Sequence, residues 1–463
     1  MSSISMLSVL ENLHVSPTPD TISDSTSLPM TFMDIQHILT PPPHTALFFK
    51  LPLTKAEFIA SIVPKLKHSL SITLGHFLPF AGNLIVYATN TTMPEILYVE
   101  GDYVKVTIAE CNLDFNDLTG YHPRNCDKFY HLIPLLGNYV KTSNYVKIPV
   151  LSLQVTLFPN SGFSLVVTSH HCLTDASTLF CFMNAWASIA KCGSDESFLA
   201  NGNLPFFGRV VVNDPERDKS SLMMAKVETL FDKEYYQPPK LSGPSDKVRG
   251  SFVLTRTFID QLKNSVSTIL PTLPYVSSFT VICAHIWCCL AKTFNEDGRQ
   301  GFMFGVDARR RLDPPIPTSY VGNCIVDNMT IAKGTLLTGN EGFVTAAKLI
   351  GENLHKMLTG KHDILANKLI GEKLHEMATD KDGWPKRLVV VAGTPKVRYY
   401  DLDFGWGKPE KLEKLTLDHF FVYGGLAVSM DGGKLNQDVE IGVRLTATQM
   451  ETFAFEFNKA PEA

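Results

Sequence analysis

A chain of 463 residues that is 44% hydrophobic and only 19% charged has apolar bulk for a large core and too little charge for a disordered or coiled-coil polymer. Single cores stop growing at roughly 250–300 residues, so this length predicts one folded unit split into two domains. Lys plus Arg number 42 against 46 Asp plus Glu, a net charge of −4, which excludes the broad positive field of a general nucleic-acid binder and leaves any anionic ligand to a local basic pocket.

In chain order, Met1 to Met6 lacks a positive n-region, so no signal peptide is expected. Residues 15–30 are rich in Pro, Ser and Thr and read as an extended lead-in. Phe58, Ile59, Ile62, Val63, Leu66 and Leu70 recur at helical spacing and predict a helix over 55–70. Leu151–Phe158 and Gly162–Ser169 read as two strands joined by the turn Pro159-Asn160-Ser161-Gly162. A helix is predicted from about Asp175 to Lys191. The stretch 202–250, with Pro205, Pro215, Pro238, Pro239 and Pro244, is the natural linker. Beyond it lie a helix from Phe258, an apolar helix at Ser277–Phe294 and a strand at Gly301–Val306. The longest apolar run, Val281–Ala291, is well short of the roughly 20 residues that span a bilayer, so no membrane association is expected. Lys348-Leu349-Ile350-Gly351-Glu352 recurs as Lys368-Leu369-Ile370-Gly371-Glu372, which reads as a duplication lengthening a surface helix, since a solenoid needs three such units or more. Nine cysteines without a CxxC pair read as reduced, buried thiols of a cytoplasmic protein, with neither a disulfide framework nor a zinc site. No GxGxxG or P-loop follows a strand, so the elements indicate mixed α/β architecture in two domains rather than a nucleotide-binding sheet.

Three segments carry chemistry. Ser169-His170-His171-Cys172-Leu173-Thr174-Asp175 falls where a strand turns into a helix, a place that presents side chains rigidly at a sheet edge. Neutral imidazole is abundant near pH 7 and takes a proton from a hydroxyl, while an aspartate four residues on caps the helix, fixes the turn or pairs with a bracing cation. Of 14 histidines, only His171 has that aspartate, and a capped structural turn accounts for the pattern equally well. His170 and His171 point to opposite faces as strand neighbours, so a shared metal ion is not expected. In Asp403-Phe404-Gly405-Trp406-Gly407, two glycines bracket a large aromatic, a rigid corner with Asp403 holding loop amides. Arg309-Arg310-Arg311 after a strand is either solvated surface or a brace for an aspartate.

Together these segments resemble the BAHD family of plant CoA-dependent acyltransferases from Leu28-Pro29-Met30-Thr31-Phe32-Met33-Asp34 through the HxxxD site to the DFGWG pentapeptide, about 230 residues after it. Tyr320-Val321-Gly322-Asn323-Cys324 is similar to the YFGNC signature of the branch that acylates anthocyanin and flavonoid glycosides, with Val321 in place of Phe. The resemblance implies two similar chloramphenicol-acetyltransferase-like α/β domains with mixed sheets and an interdomain tunnel. The domains would be 1–205, carrying HxxxD, and 247–463, carrying DFGWG, joined by a crossover at 206–246. It implies His171 as general base, Asp175 as a structural brace paired with Arg309, and Thr394 and Asn323 near the acyl carbonyl. Lys247, Arg249, Ser277 and Ser278 would bind CoA. Acyl-CoA would be a co-substrate of a monomer, with no permanently bound cofactor or metal. The implied reaction moves a hydroxycinnamoyl or malonyl group to a sugar hydroxyl of a phenolic glycoside. The segment Ser177-Thr178-Leu179-Phe180 lacks the arginine that some malonyl-using members carry there, which leans towards an aromatic or uncharged acyl group. A non-glycoside alcohol or amine acceptor, and a catalytically silent binding homologue, are the alternatives.

Overall fold

The computed structural model describes residues 6–18, 25–88, 92–137, 139–202, 204–209, 212, 245–273, 276–359, 384–415, 425–435 and 437–459. Most of the expected crossover (210–211 and 213–244) and the second copy of the duplicated segment (368–375) lie outside these residues. The first copy falls within the helix Gly342–Thr359.

The first sheet has six strands in the order Leu7–Val15, Val104–Cys111, Leu151–Phe158, Gly162–Ser169, His44–Phe49 and Lys411–Lys414. Its centre is the predicted hairpin, paired from Leu151↔Ser169 to Phe158↔Gly162, with every residue of both strands buried. In the first of them Leu151, Leu153, Val155 and Leu157 alternate with Ser152, Gln154 and Thr156 at the strand period of two, the polar members buried with the rest. Asn160 takes φ 59° in the turn, a conformation Asn tolerates, and a Cβ on Gly162 would meet the Phe49 carbonyl oxygen at 2.3 Å. Helices Val63–His76 and Ala176–Cys192 cover the sheet. The helical run over 55–76 is interrupted by a π-turn at Phe58–Ile62, whose wider winding leaves Ile59 36% exposed, off the apolar face expected from its spacing.

A second, seven-stranded sheet runs Ile325–Lys333, Arg299–Asp307, Arg387–Ala392, Leu426–Gly432, Val439–Thr446, Lys247–Leu254 and Arg124–Asn125. Against it pack Arg256–Ile269, Ser278–Phe294, Gly342–Thr359 and Ala447–Phe457. Ser278–Phe294 is buried almost all round, which explains its unbroken apolar sequence. Within the expected lead-in, Ser25–Pro29 edges a five-stranded sheet with Glu95–Val99, Asn83–Tyr87, Tyr145–Pro149 and Val140–Lys141.

Each half lends a strand to the other. Lys411–Lys414 pairs with His44–Phe49 in the first sheet, and Arg124–Asn125 pairs with Lys247–Leu254 in the second. Local sequence carries no mark of this exchange. Its buried charges are mutually satisfied: Arg124 donates to Glu413 at 2.6 Å, Arg249 lies 3.6 Å from Glu413, and Lys411 donates to Glu440. All nine cysteines are free; seven are buried, Cys181 is half-buried and Cys192, at a helix end, is exposed, contrary to the expectation of uniformly buried thiols. Among the described residues no helix is long and apolar enough to cross a membrane.

Candidate active site

A cavity of about 1500 Å³ is walled by both halves of the chain, with His37, Thr45 and His171 from one and Ser277, Ser278 and Thr394 from the other. His171 reaches it from the turn after the Gly162–Ser169 strand. That turn is pinned at each step. The Ser169 N–H donates to the Pro43 carbonyl (3.3 Å), the His170 N–H to Val150 (2.7 Å), and the Leu173 N–H to His170 (3.0 Å), while the Ser169 and Thr174 hydroxyls share a hydrogen bond of 2.8 Å. Asp175 ends the turn as the N-cap of Ala176–Cys192, with extended backbone and its Oδ1 accepting from the Thr178 N–H at 2.8 Å.

Asp175 faces away from the cavity chemistry into a buried clamp. Arg309 lies on it fork to fork, Nη1 donating to Oδ2 at 2.8 Å and Nη2 to Oδ1 at 3.0 Å, and the Cys324 N–H donates to Oδ2 at 3.0 Å. Nη2 also reaches the Gly322 carbonyl (3.0 Å) and the Thr178 hydroxyl (3.0 Å). Bidentate geometry of this kind fixes orientation as well as charge. Burial alone would raise the Asp175 pKa, but Arg309 and the donated amides outweigh it and hold the carboxyl below its usual range. The Arg309 guanidinium is correspondingly pushed further from deprotonation by Asp175, against the effect of burial.

Asn323 is placed differently from its expected position at the acyl carbonyl. Its amide Nδ2 donates to the His171 carbonyl (2.9 Å) and to Asp34 (3.2 Å), which spends both protons, and it is absent from the cavity wall. Its backbone N–H also donates to Asp34, at 2.8 Å. It therefore braces the main chain of the histidine. Thr394 does line the cavity; its Oγ1 accepts from the Lys396 N–H at 3.4 Å, so its own proton is available.

The His171 ring stacks on His37, with centroids 4.3 Å apart and planes 16° from parallel. Its Nδ1 is enclosed, with the Asn323 side chain beside the ring, which leaves Nε2 as the nitrogen turned to the cavity. Burial pushes the His171 pKa below the ordinary histidine value, opposed by its own backbone, Asp175 and Asn323. The imidazole is therefore neutral, and a base, at pH 7. His170 is buried on the other side, its Nδ1 accepting from the Cys172 N–H, and burial with His171 beside it pushes its pKa down to about 3. Among the described residues no cluster of His, Cys, Asp or Glu fits a metal ion.

Asp403 accepts from the Gly405 and Gly407 amides at 2.8 and 3.2 Å and pairs with Lys191 at 2.8 Å. Trp406 stacks on Phe404 at 5.2 Å and meets Phe49 and Phe163 edge-on, with Lys65 over its ring. The DFGWG corner thus packs behind the strand that delivers His171, outside the cavity.

Of the four residues expected at CoA, Ser277 and Ser278 line the cavity, Ser277 as N-cap of Ser278–Phe294. Lys247 and Arg249 do not. Arg249 is 1% exposed, donates to the Lys414 carbonyl at 2.9 Å and sits over the Phe129 ring, a cation of the strand exchange that no phosphate reaches. Lys247 lies beside Asp246 on the same strand, away from the cavity. Among the cations that line the cavity on this half is Arg256, at the start of the Arg256–Ile269 helix. Asp34, His37 and Lys414 escaped the sequence reading of the site; only Asp34 had a signal, as the end of the first matching motif.

The Transferase family model matches residues 7–460. A malonyl-coenzyme A:anthocyanin 3-O-glucoside-6''-O-malonyltransferase of Dahlia pinnata is 46% identical over 100% of this chain and 99% of its own length. Phenolic glucoside malonyltransferase 1 of Nicotiana tabacum is 40% identical over 89% of this chain and 90% of its own. Among solved structures, vinorine synthase superposes with a TM-score of 0.68 over 96% of both chains at 19% identity, a likeness of fold.

Proposed function

The chain belongs to the Transferase family, the BAHD acyltransferases, and we propose that it moves a malonyl group from malonyl-CoA to a sugar hydroxyl of an anthocyanin or other phenolic glucoside. The observation that carries this reading is a neutral, rigidly held His171 on the wall of a large cavity lined from both halves of the chain, which we take as domains 1–205 and 247–463 joined by the crossover 206–246. His171 Nε2 takes the proton of the sugar hydroxyl as its oxygen attacks the thioester carbonyl. The Thr394 hydroxyl donates to the oxyanion that forms, where one such donor is typically worth about 10²–10³ in rate. Collapse breaks the C–S bond, and the imidazolium returns its proton to the CoA sulfur. His37 stacks on the His171 ring, Asp175 and Asn323 favour its protonated form while they hold the loop, and Arg309 acts only through the position of the loop. Ser277, Ser278 and Arg256 are the polar groups offered to CoA on the second half. Free cysteines throughout the described residues support a cytoplasmic location, and we take the enzyme to be a monomer.

A hydroxycinnamoyl donor is the second reading, favoured by the uncharged segment Ser177–Phe180. Purified protein assayed with malonyl-, coumaroyl- and acetyl-CoA against flavonoid glucosides, following thiol release and product mass, decides between them. Malonyl transfer to a glucoside that His171→Ala lacks is the expected result; transfer only to non-glycoside alcohols or amines would refute the acceptor class.

A further inference from the structure

A malonyl group brings a free carboxylate into the enzyme, and burying it without a cation costs several kcal/mol. The cavity wall has five cations among the described residues: Arg256, Arg311, Lys396, Arg398 and Lys414. Arg311 and Lys396 are exposed, Arg256 is 49% exposed and paired with Asp260, and Arg398, 29% exposed, is paired with Asp401. Such groups at the solvent margin suit phosphates that remain partly hydrated. Lys414 is different, since its side chain is 11% exposed.

Lys414 ends the strand that the second half lends to the first sheet. It pairs with Thr45, which on its other side pairs with Val167, two residues before the strand end that leads into the His171 turn. Thr45, Lys414, Tyr399 and His171 line one cavity. The ammonium donates to Thr45 Oγ1 at 3.2 Å, forms an ion pair with buried Asp431 at 3.8 Å, and lies 4.2 Å from the Tyr399 ring centroid. An ammonium has three protons, so this arrangement holds the charge in place with donor capacity to spare. The Phe180 ring closes on Tyr399 edge-on at 5.5 Å, giving that part of the wall an apolar character which strengthens any ion pair formed there.

We propose that Lys414, with the Thr45 hydroxyl beside it, is the anchor for the free carboxylate of a dicarboxylic acyl donor. It supplies the charge that the segment after Asp175 lacks. This rests on the malonyl reading above. Selectivity follows directly: acetyl-CoA, which differs only in lacking the carboxylate, gains nothing from Lys414.

The test is the ratio of kcat/KM for malonyl-CoA over acetyl-CoA, measured with one acceptor for the wild type, Lys414→Met and Lys414→Arg. Because both donors are read on one sample, the ratio does not depend on the fraction folded. Lys414→Met is expected to shift it about 100-fold towards acetyl-CoA, the scale for truncating one partner of a buried charge pair. Lys414→Arg, which keeps the charge, is expected to hold the wild-type ratio within about fivefold. A wild type that uses malonyl-CoA, with the ratio unmoved in Lys414→Met, overturns this assignment alone. A wild type that uses coumaroyl-CoA and not malonyl-CoA overturns the donor reading itself, and is seen before any variant is made. Should Lys414→Met be insoluble, Lys414→Gln takes its place, and a ratio unmoved in Lys414→Gln refutes the anchor role.

Discussion

Replacing Asp175 by Asn leaves shape and helix cap intact but removes the charge that Arg309 faces. The wild-type carboxylate accepts four hydrogen bonds, two on each oxygen. Asn retains an acceptor at Oδ1 for the Thr178 N–H and Arg309 Nη2. At the other position its amide protons meet Arg309 Nη1 and the Cys324 N–H, donor against donor. With Arg309 1% exposed, its guanidinium cannot turn to water and keeps only Asp307, 3.4 Å from Nη1, as a counter-charge. Breaking a buried pair in this way costs about 3–5 kcal/mol. The displaced loop also carries His171, and an error of about 1 Å there costs about 10²-fold in turnover. Urea unfolding at pH 7 gives the first quantity; kcat and KM give the second, with kcat falling and KM nearly kept, as befits a positioning residue. In the double variant with Arg309→Gln the stability losses should fall short of additive by about 2 kcal/mol, because the second change removes the stranded charge. Full turnover with unaltered stability in Asp175→Asn, or strict additivity in the cycle, would refute the clamp.

Acid should destabilise the fold through its buried histidines. Burial pushes His170 down to about 3 and His285 to about 4, so below the unfolded value of about 6.5 the unfolded chain binds protons that the fold refuses. Stability falls with pH at about 1.4 kcal/mol per unit for each histidine between pH 6.5 and 4, and urea midpoints that stay flat over this range contradict it. Asp175 adds a loss only further down, as pH falls through its lowered pKa. In the DFGWG corner, Gly405→Ala meets both positive φ (+89°) and the Lys191 Cα at 3.2 Å, whereas Gly407→Ala meets only positive φ (+105°). Gly405→Ala should cost about 2–3 kcal/mol and Gly407→Ala about 1 kcal/mol, read as thermal shifts, with kcat per folded molecule kept in both.

What was legible in the sequence was local. Alternation at period two marked the Leu151–Phe158 strand, and a mostly apolar run marked the Ser278–Phe294 helix because that helix is buried almost all round. HxxxD and the arginine run marked a turn and its brace because bidentate pairing demands those two residue types. Lys247, 31% exposed beside Asp246, simply lies off the cavity wall, whereas Arg249 is taken up by the strand exchange. A basic residue near a linker looks solvated in sequence, but the strand exchange buries Arg249 against Glu413 and Phe129, and no local pattern records a partner some 160 residues away. Lys414 was overlooked for the same reason, since its meaning comes from Thr45 on the far half of the chain. Asn323, expected at the acyl carbonyl, holds the His171 main chain instead, a distinction that needs coordinates.

The account stands on His171 as the base of a direct transfer. The most direct measurement compares malonyl-CoA binding and single-turnover transfer to a phenolic glucoside in the wild type and in His171→Ala. Malonyl-CoA affinity within about threefold, together with a transfer rate at least about 10³-fold lower, is predicted for loss of a positioned general base. Transfer by His171→Ala at a rate near the wild type, with malonyl-CoA bound equally well, would contradict it.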